Sequence, residues 1–315
     1  MDNITVLLVA GVVLLYAGAE FLVRGSSNLA LRLGVSALTV GLTIVAFGTS
    51  MPELVVSVKS GFDGLGDIAL GNVIGSNIFN VAVILGVCGL VRPISVNSRI
   101  MKVDLPVMLA VSLVLLLFLA DKNINRIEAA ILLTGIIVYT VMTIRSGKKS
   151  IAQQPCETDS GTVQHPKGSV LIDVVMIIGG LVALVIGSRA FVKGAVGVAH
   201  LLNVSEAFIG LTIVAAGTSL PELATSVVAS IKKEGDIAVG NIVGSNIFNI
   251  LAILGVSGLL TPLESKGIGM VDLAFMMVTA VALVPLIGKK LRLDRIGGGL
   301  FMAIYGAYMF YLWPK

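Results

Sequence analysis

Charge is what this chain has least of. Asp, Glu, Lys and Arg make up 13% of its 315 residues, where an ordinary soluble domain carries about a quarter. With 56% hydrophobic residues and a mean hydropathy of +1.01, the chain is not expected to form a water-soluble globule. Its net charge of +4 is no nucleic-acid signature in such a setting. Histidine and cysteine are also scarce, with two of each. His165 and His200 fall in expected loops, Cys88 in an apolar run and Cys156 in a polar loop. Neither a disulfide framework nor a zinc site is expected from them, and nothing suits a soft metal. No Ser–His or paired-Asp constellation exists, so an intramembrane hydrolase is disfavoured; no enzyme activity and no cofactor are expected. The start "MDNITVLL" lacks a basic n-region, so no cleaved signal peptide is expected.

What the chain has instead is long apolar runs. A bilayer span takes about 20 mostly apolar residues, and about ten such runs fit, near 4–23, 36–58, 68–91, 103–120, 127–144, 170–188, 206–231, 237–260, 270–287 and 296–313. The expected fold class is all-α: a polytopic membrane protein of ten transmembrane helices. With the N-terminus outside, 15 of the 22 Lys and Arg fall in cytoplasmic loops. The positive-inside rule then places both termini outside, in a multi-pass cell-membrane protein.

The chain also repeats itself. Shifting it so that Glu53 falls on Glu222 also places Gly18 on Gly187, Asp67 on Asp236, Asn77 on Asn246, Pro93 on Pro262 and Arg126 on Arg295. Between 34–93 and 203–262, 35 of 60 positions are identical without a gap, which makes the duplication secure. Residues 1–144 and 170–315 are each expected to hold five spans, joined by a polar cytoplasmic loop, 145–169. An odd number of spans turns the second half upside down, giving inverted-topology repeats. Such folds are common among secondary transporters, whose substrates bind near the midplane on broken helices.

Two spans, the second and the seventh, carry a break. Residues 46–54 read "AFGTSMPEL" and 215–223 read "AAGTSLPEL". Ser50 followed by Glu53 is a capping box with Pro52 in the first turn, and this restarts a helix after a kink. Capping alone does not account for the carboxylate. A charge at mid-membrane costs about 2.5–3.5 kcal/mol on insertion scales, and a glutamine would complete the same box more cheaply. Pro52 denies the Gly48 carbonyl its helical partner. Carbonyls around Ala46 to Thr49 and the hydroxyls of Thr49 and Ser50 are then expected to line a cavity. Pro221 and Gly217 repeat this around Ala215, Thr218 and Ser219. Inversion would bring the two breaks head to head, with Glu53 and Glu222 at one central site. Oxygen-only ligands with two carboxylates suit a hard cation such as Ca²⁺ or Na⁺.

The following spans read "GNVIGSNIFN" (71–80) and "GNIVGSNIFN" (240–249). Gly71 and Gly75 form a small-xxx-small face for close helix approach. Asn72, Ser76 and Asn80 share one helical stripe. Ser76 and Asn80, with Ser245 and Asn249, are read as site oxygens. For Asn72 and Asn77, bonding between helices is an equal alternative. Asp67 and Asp236 are read as helix-start carboxylates, and Glu20 as a partner of Arg24.

These two motif copies resemble the alpha repeats of the cation/calcium exchanger superfamily, in its sodium/calcium exchanger branch, at about 36–93 and 205–262. The resemblance implies antiport of Na⁺ against Ca²⁺ by alternating access. It implies Glu53 and Glu222 as central calcium carboxylates shared with sodium, completed by the Thr49 and Thr218 carbonyls. Ala46, Thr49, Ser50 and Ser76 would form one sodium site, and Ala215, Thr218, Ser219 and Ser245 its inverted copy, with Asn80 and Asn249 at the middle. Ca²⁺, Na⁺ and the lipid bilayer are the expected partners, with no nucleic acid and no obligatory protein partner. Several family members, and the potassium-dependent branch, carry aspartate where this chain has Asn249, so K⁺ co-transport is not expected. Two glutamates neutralise one Ca²⁺, whereas the three Na⁺ that the resemblance implies would leave excess positive charge, so the ion ratio stays open; electrogenic Na⁺/Ca²⁺ antiport is the leading expectation. Proton-coupled Ca²⁺ exchange and, from another class, a cation channel are the alternatives.

Overall fold

In a computed structural model, residues 2–152, 169–202, 215–288 and 290–312 are described. Most of the expected linker, including Cys156 and His165, and residues 203–214 of the seventh expected span lie outside them. The helices are α1 (Asp2–Leu33), α2 (Ala37–Thr49), α3 (Met51–Phe62), α4 (Gly66–Val91), α5 (Ile100–Asp121), α6 (Arg126–Ala152), α7 (Val170–Leu201), α8 (Leu220–Ile231), α9 (Gly235–Leu260), α10 (Met270–Ile287) and α11 (Arg295–Leu312). Among the described residues, seven helices are long and apolar enough to cross a bilayer, or eight if α2 and α3 count as one bent span.

Helices α1 and α7 are 32 residues each, about 48 Å at 1.5 Å per residue, and so outrun a hydrocarbon core of about 30 Å. Both run past the expected span ends at 23 and 188, because the charges of Arg24 and Arg189 do not stop a helix. The stop for α1 is Gly34, at φ +61°. The two long helices pack antiparallel: Gly11 lies on Phe191, Gly18 on Gly180 and Leu184, and Gly194 on Leu8. A Cβ at Gly18 would sit 2.8 Å from the Gly180 carbonyl oxygen, and one at Gly180 2.7 Å from that of Gly18. Only glycine permits this approach. Arg32 Nε meets Asp173 Oδ2 at 2.5 Å at one end of the pair.

The most apolar windows of α9 and α4 are 100% and 78% buried, whereas those of α6 and α7 are 22% and 28% buried. The sparsely charged α9 and α4 are therefore the centre, and the outer helices turn Val, Ile and Leu to lipid. Close packing runs through glycine again: a Cβ at Gly244 would lie 2.7 Å from the Leu42 carbonyl. The equivalent partner of Gly75 falls in 203–214, outside the described residues.

Two features depart from an all-helical reading. Short antiparallel ribbons cap the bundle, β1 (Ile94–Ser95) with β4 (Arg292–Leu293) and β2 (Asn123–Ile124) with β3 (Leu263–Glu264). Ile94 pairs with Leu293 and Ile124 with Leu263, so each ribbon joins one half to the other in mirrored fashion. Helices α2, α4, α5 and α9 also contain π-helical turns, at Gly41–Val45, Asn80–Leu85, Ile100–Asp104 and Asn249–Ile253.

Candidate cation site

The break in the second span is tight. A single residue, Ser50 (φ −81°, ψ 7°), separates α2 from α3, and the axes bend by 46°. Ala46 to Thr49 remain a helical turn, and the Ala46 carbonyl accepts the Ser50 N–H at 3.1 Å. The expected stretch of open carbonyls is thus shorter than the sequence implied. The one carbonyl that Pro52 necessarily strips of its partner is that of Gly48. In the other half, Pro221 does the same to Gly217, whose carbonyl instead accepts the Ser188 hydroxyl at 2.6 Å. The position equivalent to Ser188 is Ala19, which has no hydroxyl to offer Gly48.

Beyond each break the carboxylates cross over. Ser50 Oγ donates to Glu222 Oε1 at 3.0 Å, and Ser219 Oγ donates to Glu53 Oε1 at 3.0 Å. Each glutamate is therefore held by the other half's serine, and both are 1% exposed. Thr49 Oγ1 lies 3.1 Å from both the Val45 carbonyl oxygen and Asn241 Oδ1, and its single proton serves one of them at a time. Thr218 lies beside Ser219 between the Ala215–Gly217 turn and α8. The side chain of Ala215 lies outside the described atoms.

Asn80 and Asn249 each open a π-helical turn. The amide of Asn80 donates to Asn246 Oδ1 and that of Asn249 to Asn77 Oδ1, both at 3.0 Å. Ser76 and Ser245, one turn earlier, are buried. Among the described residues, the buried oxygens left without a hydrogen-bond partner include Glu53 Oε2, Glu222 Oε2, Asn80 Oδ1, Asn249 Oδ1 and Ser245 Oγ. Burying an unpaired carboxylate oxygen costs several kcal/mol, so these atoms fit a cation as their partner. No cluster of three or more His, Cys, Asp and Glu exists among the described residues. A metal here would meet two carboxylates and otherwise neutral oxygens, the chemistry of a hard cation.

Other sequence candidates have structural work. Asn72 Nδ2 donates to Ser57 Oγ at 2.9 Å and to the Glu53 carbonyl at 3.1 Å, and Asn241 Nδ2 donates to Ser226 Oγ at 3.0 Å. Asp67 accepts the backbone N–H groups of Lys266 and Gly267 at 2.8 Å, capping a loop of the other half. Glu20 pairs with Arg24 at 2.6 Å and, beyond the sequence reading, with Lys232. Ser188 was not foreseen, and its lack of a counterpart in the first half left no repeat signal to find it by.

Fold and site together define a polytopic helical membrane protein with a buried oxygen cluster where its two halves meet. The family model "Sodium/calcium exchanger protein" matches residues 3–145 and 172–313. The chain belongs to this family, and is accordingly a membrane transporter, a cation/Ca²⁺ antiporter. It is 34% identical to inner membrane protein YrbG of Escherichia coli over 314 residues, covering 98% of this chain and 95% of that one. It is 32% identical to sodium/calcium exchanger MaX1 of Methanosarcina acetivorans, covering 96% of each. A solved structure of the sodium-calcium exchanger NCX_Mj, soaked with zero Na⁺ and Ca²⁺, superposes with a TM-score of 0.84 at 31% identity, covering 99% of each chain.

Proposed function

We propose that this protein exchanges Na⁺ for Ca²⁺ by alternating access, electrogenically and without K⁺. In this reading, 1–144 and 170–315 are inverted five-helix repeats joined by 145–169, ten spans in all, set in the cell membrane with both termini outside. The antiparallel packing of α1 on α7 and the mirrored ribbons support the inversion. Glu53 and Glu222 hold Ca²⁺ with the Thr49 and Thr218 carbonyls. Ser50, Ser76 and Ala46 on one side, and Ser219, Ser245 and Ala215 on the other, serve sodium, with Asn80 and Asn249 between. The observation that carries the reading is the crossed pairing of each glutamate with the opposite serine, which leaves Glu53 Oε2 and Glu222 Oε2 buried and unpartnered. An asparagine rather than a third carboxylate at position 249 favours K⁺ independence.

The test is Ca²⁺ flux into proteoliposomes under an imposed Na⁺ gradient, a pH gradient, or neither. Uptake driven by the Na⁺ gradient and altered by membrane potential is expected. Uptake driven only by the pH gradient would replace sodium with protons as the coupling ion. Rapid flux with neither gradient would make the protein a channel.

A further inference from the structure

We infer that Asn77 and Asn246 are positioning residues that fix which end of Asn249 and Asn80 faces the cation. The inference rests on the proposed role of Asn80 and Asn249. The orientation follows by elimination from two backbone carbonyls. Asn77 Nδ2 lies 3.3 Å from the Asn246 carbonyl, and Asn246 Nδ2 lies 3.4 Å from that of Asn77. A carbonyl only accepts, so the atom each side chain turns to it is the NH₂. The other end of Asn77 is then its oxygen, and what meets that oxygen at 3.0 Å must be the NH₂ of Asn249. The same step through Asn246 fixes Asn80. Each of Asn80 and Asn249 has its NH₂ turned to the opposite asparagine, and each is left with a buried, unpartnered Oδ1. The relay thus presents acceptors to the site and withholds donors, which would repel a cation. It also disfavours an ionised carboxylate at these positions in this chain. A carboxylate at 249 would set a second acceptor against Asn77 Oδ1, which has no room to flip without facing a carbonyl.

The test is a pair of double-mutant cycles read as the KM for Ca²⁺ in proteoliposomes, on variants shown by size exclusion to be folded. Asn77→Ala is expected to raise KM about tenfold with little change in kcat. Combined with Asn249→Ala it should add nothing, whereas combined with Asn80→Ala the effects should multiply, because the Asn77 oxygen meets Asn249 and not Asn80. An unchanged KM in Asn77→Ala, or equal additivity in both cycles, would overturn the positioning role. An unchanged KM in Asn249→Ala would instead remove Asn249 from the site and so refute the functional reading beneath it.

A separate observation carries a second inference. Glu20 of α1 is paired with Lys232, the residue that caps the C-terminus of α8. The equivalent positions in the other half are Arg189 of α7 and Asp63, which caps α3. The same two positions therefore carry opposite charges with the signs exchanged. Among the described residues, Asp63 and Arg189 form no ion pair and both are exposed. The packing differs in the same sense: α1 lies along α8, whereas the equivalent pair, α7 and α3, has no such packing. We propose that Glu20–Lys232 and Arg189–Asp63 are alternate latches, each closing one end of the carrier while the other is open. In inverted repeats, exchanging the conformations of the two halves converts one facing state to the other, and so breaks one pair and makes the other. The test places Glu20→Cys with Lys232→Cys, or Asp63→Cys with Arg189→Cys, in a Cys156→Ser background and applies a short bis-maleimide. Each pair should cross-link and halt Ca²⁺ exchange, and a variant holding all four cysteines should yield either cross-link but never both in one molecule. Failure of the Asp63/Arg189 pair to react, both cross-links in one chain, or continued exchange after cross-linking would overturn the proposal.

Discussion

Replacing Glu53 by glutamine keeps the shape of the site and removes half of its charge. Two unit charges about 4 Å apart interact by about 4 kcal/mol at an effective dielectric of about 20. A divalent ion therefore loses about 8 kcal/mol and a monovalent ion about 4. Relief from holding a desolvated carboxylate, several kcal/mol for a fully buried ion, stabilises the empty and the loaded variant alike and so does not offset this loss; Glu53 is 1% exposed with Oε2 unpartnered. Ca²⁺ loses about 4 kcal/mol more than Na⁺, close to a thousandfold in relative affinity. Glu53→Gln should thus raise the KM for Ca²⁺ by about a thousandfold more than it shifts the Na⁺ dependence. Glu222→Gln should match it closely, because the two carboxylates share the same crossed environment. Radiolabelled Ca²⁺ uptake over a range of Ca²⁺ and Na⁺ concentrations reads both quantities. Thermal unfolding in detergent provides the control: without ions the glutamine variants should unfold no earlier than the parent, and Ca²⁺ should no longer raise their Tm. Normal Ca²⁺ affinity in either variant, or equal losses for both ions, would refute the charge argument.

Ser50→Ala removes the donor to Glu222 Oε1; a hydrogen bond to a charged group contributes about 1.5–3 kcal/mol, so a rise of about tenfold or more in the KM for Ca²⁺ is expected, with Ser219→Ala its equal. Pro52→Ala restores a partner to the Gly48 carbonyl and should raise Tm while slowing exchange, if the bend of 46° belongs to the working conformation; faster exchange would count against that. Gly18→Ala places a Cβ 2.8 Å from the Gly180 carbonyl, and overpacking of this kind costs about 1–3 kcal/mol, to be seen as a lower Tm in detergent.

Much of this architecture could be read from the sequence, and what could be read depended on repetition. Most apolar runs became helices near their expected positions. The pairing of "GTSMPE" with "GTSLPE" pointed to one shared cluster, and Ser50 and Ser219 do reach across to the opposite glutamate. What stayed hidden were consequences of three-dimensional packing. The spans expected at 4–23 and 170–188 run on through Arg24 and Arg189, since nothing in either residue stops a helix. No local pattern distinguishes the π-helical turns that begin at Asn80 and Asn249 from ordinary helix. Asn77 and Asn246 were visible as repeated residues, but only their place opposite a backbone carbonyl says which way each amide points. Ser188, present in one half alone, had no repeat to announce it.

The same unsatisfied oxygens bear on coupling. A carrier that exchanges ions must not return empty, or the gradients run down without transport. Among the described residues, neither Glu53 nor Glu222 has a basic partner, so nothing in the described protein neutralises them when no cation is bound. Isomerising in that condition means carrying two uncompensated carboxylates through the closed, low-dielectric midpoint, at a cost of several kcal/mol for each ion. A lysine beside either glutamate would remove that barrier and let the empty form leak across. On the proposed reading, the missing counter-charge is thus the coupling device itself: only a cargo cation supplies the charge that lets the site cross. Placing a lysine at Ser50, within reach of Glu222, should therefore not merely weaken Ca²⁺ binding. It should free the empty carrier to reorient, so that Ca²⁺ leaves loaded proteoliposomes with no counter-ion on the far side. Efflux from Ser50→Lys that stays strictly dependent on external Na⁺ or Ca²⁺ would show that coupling resides elsewhere.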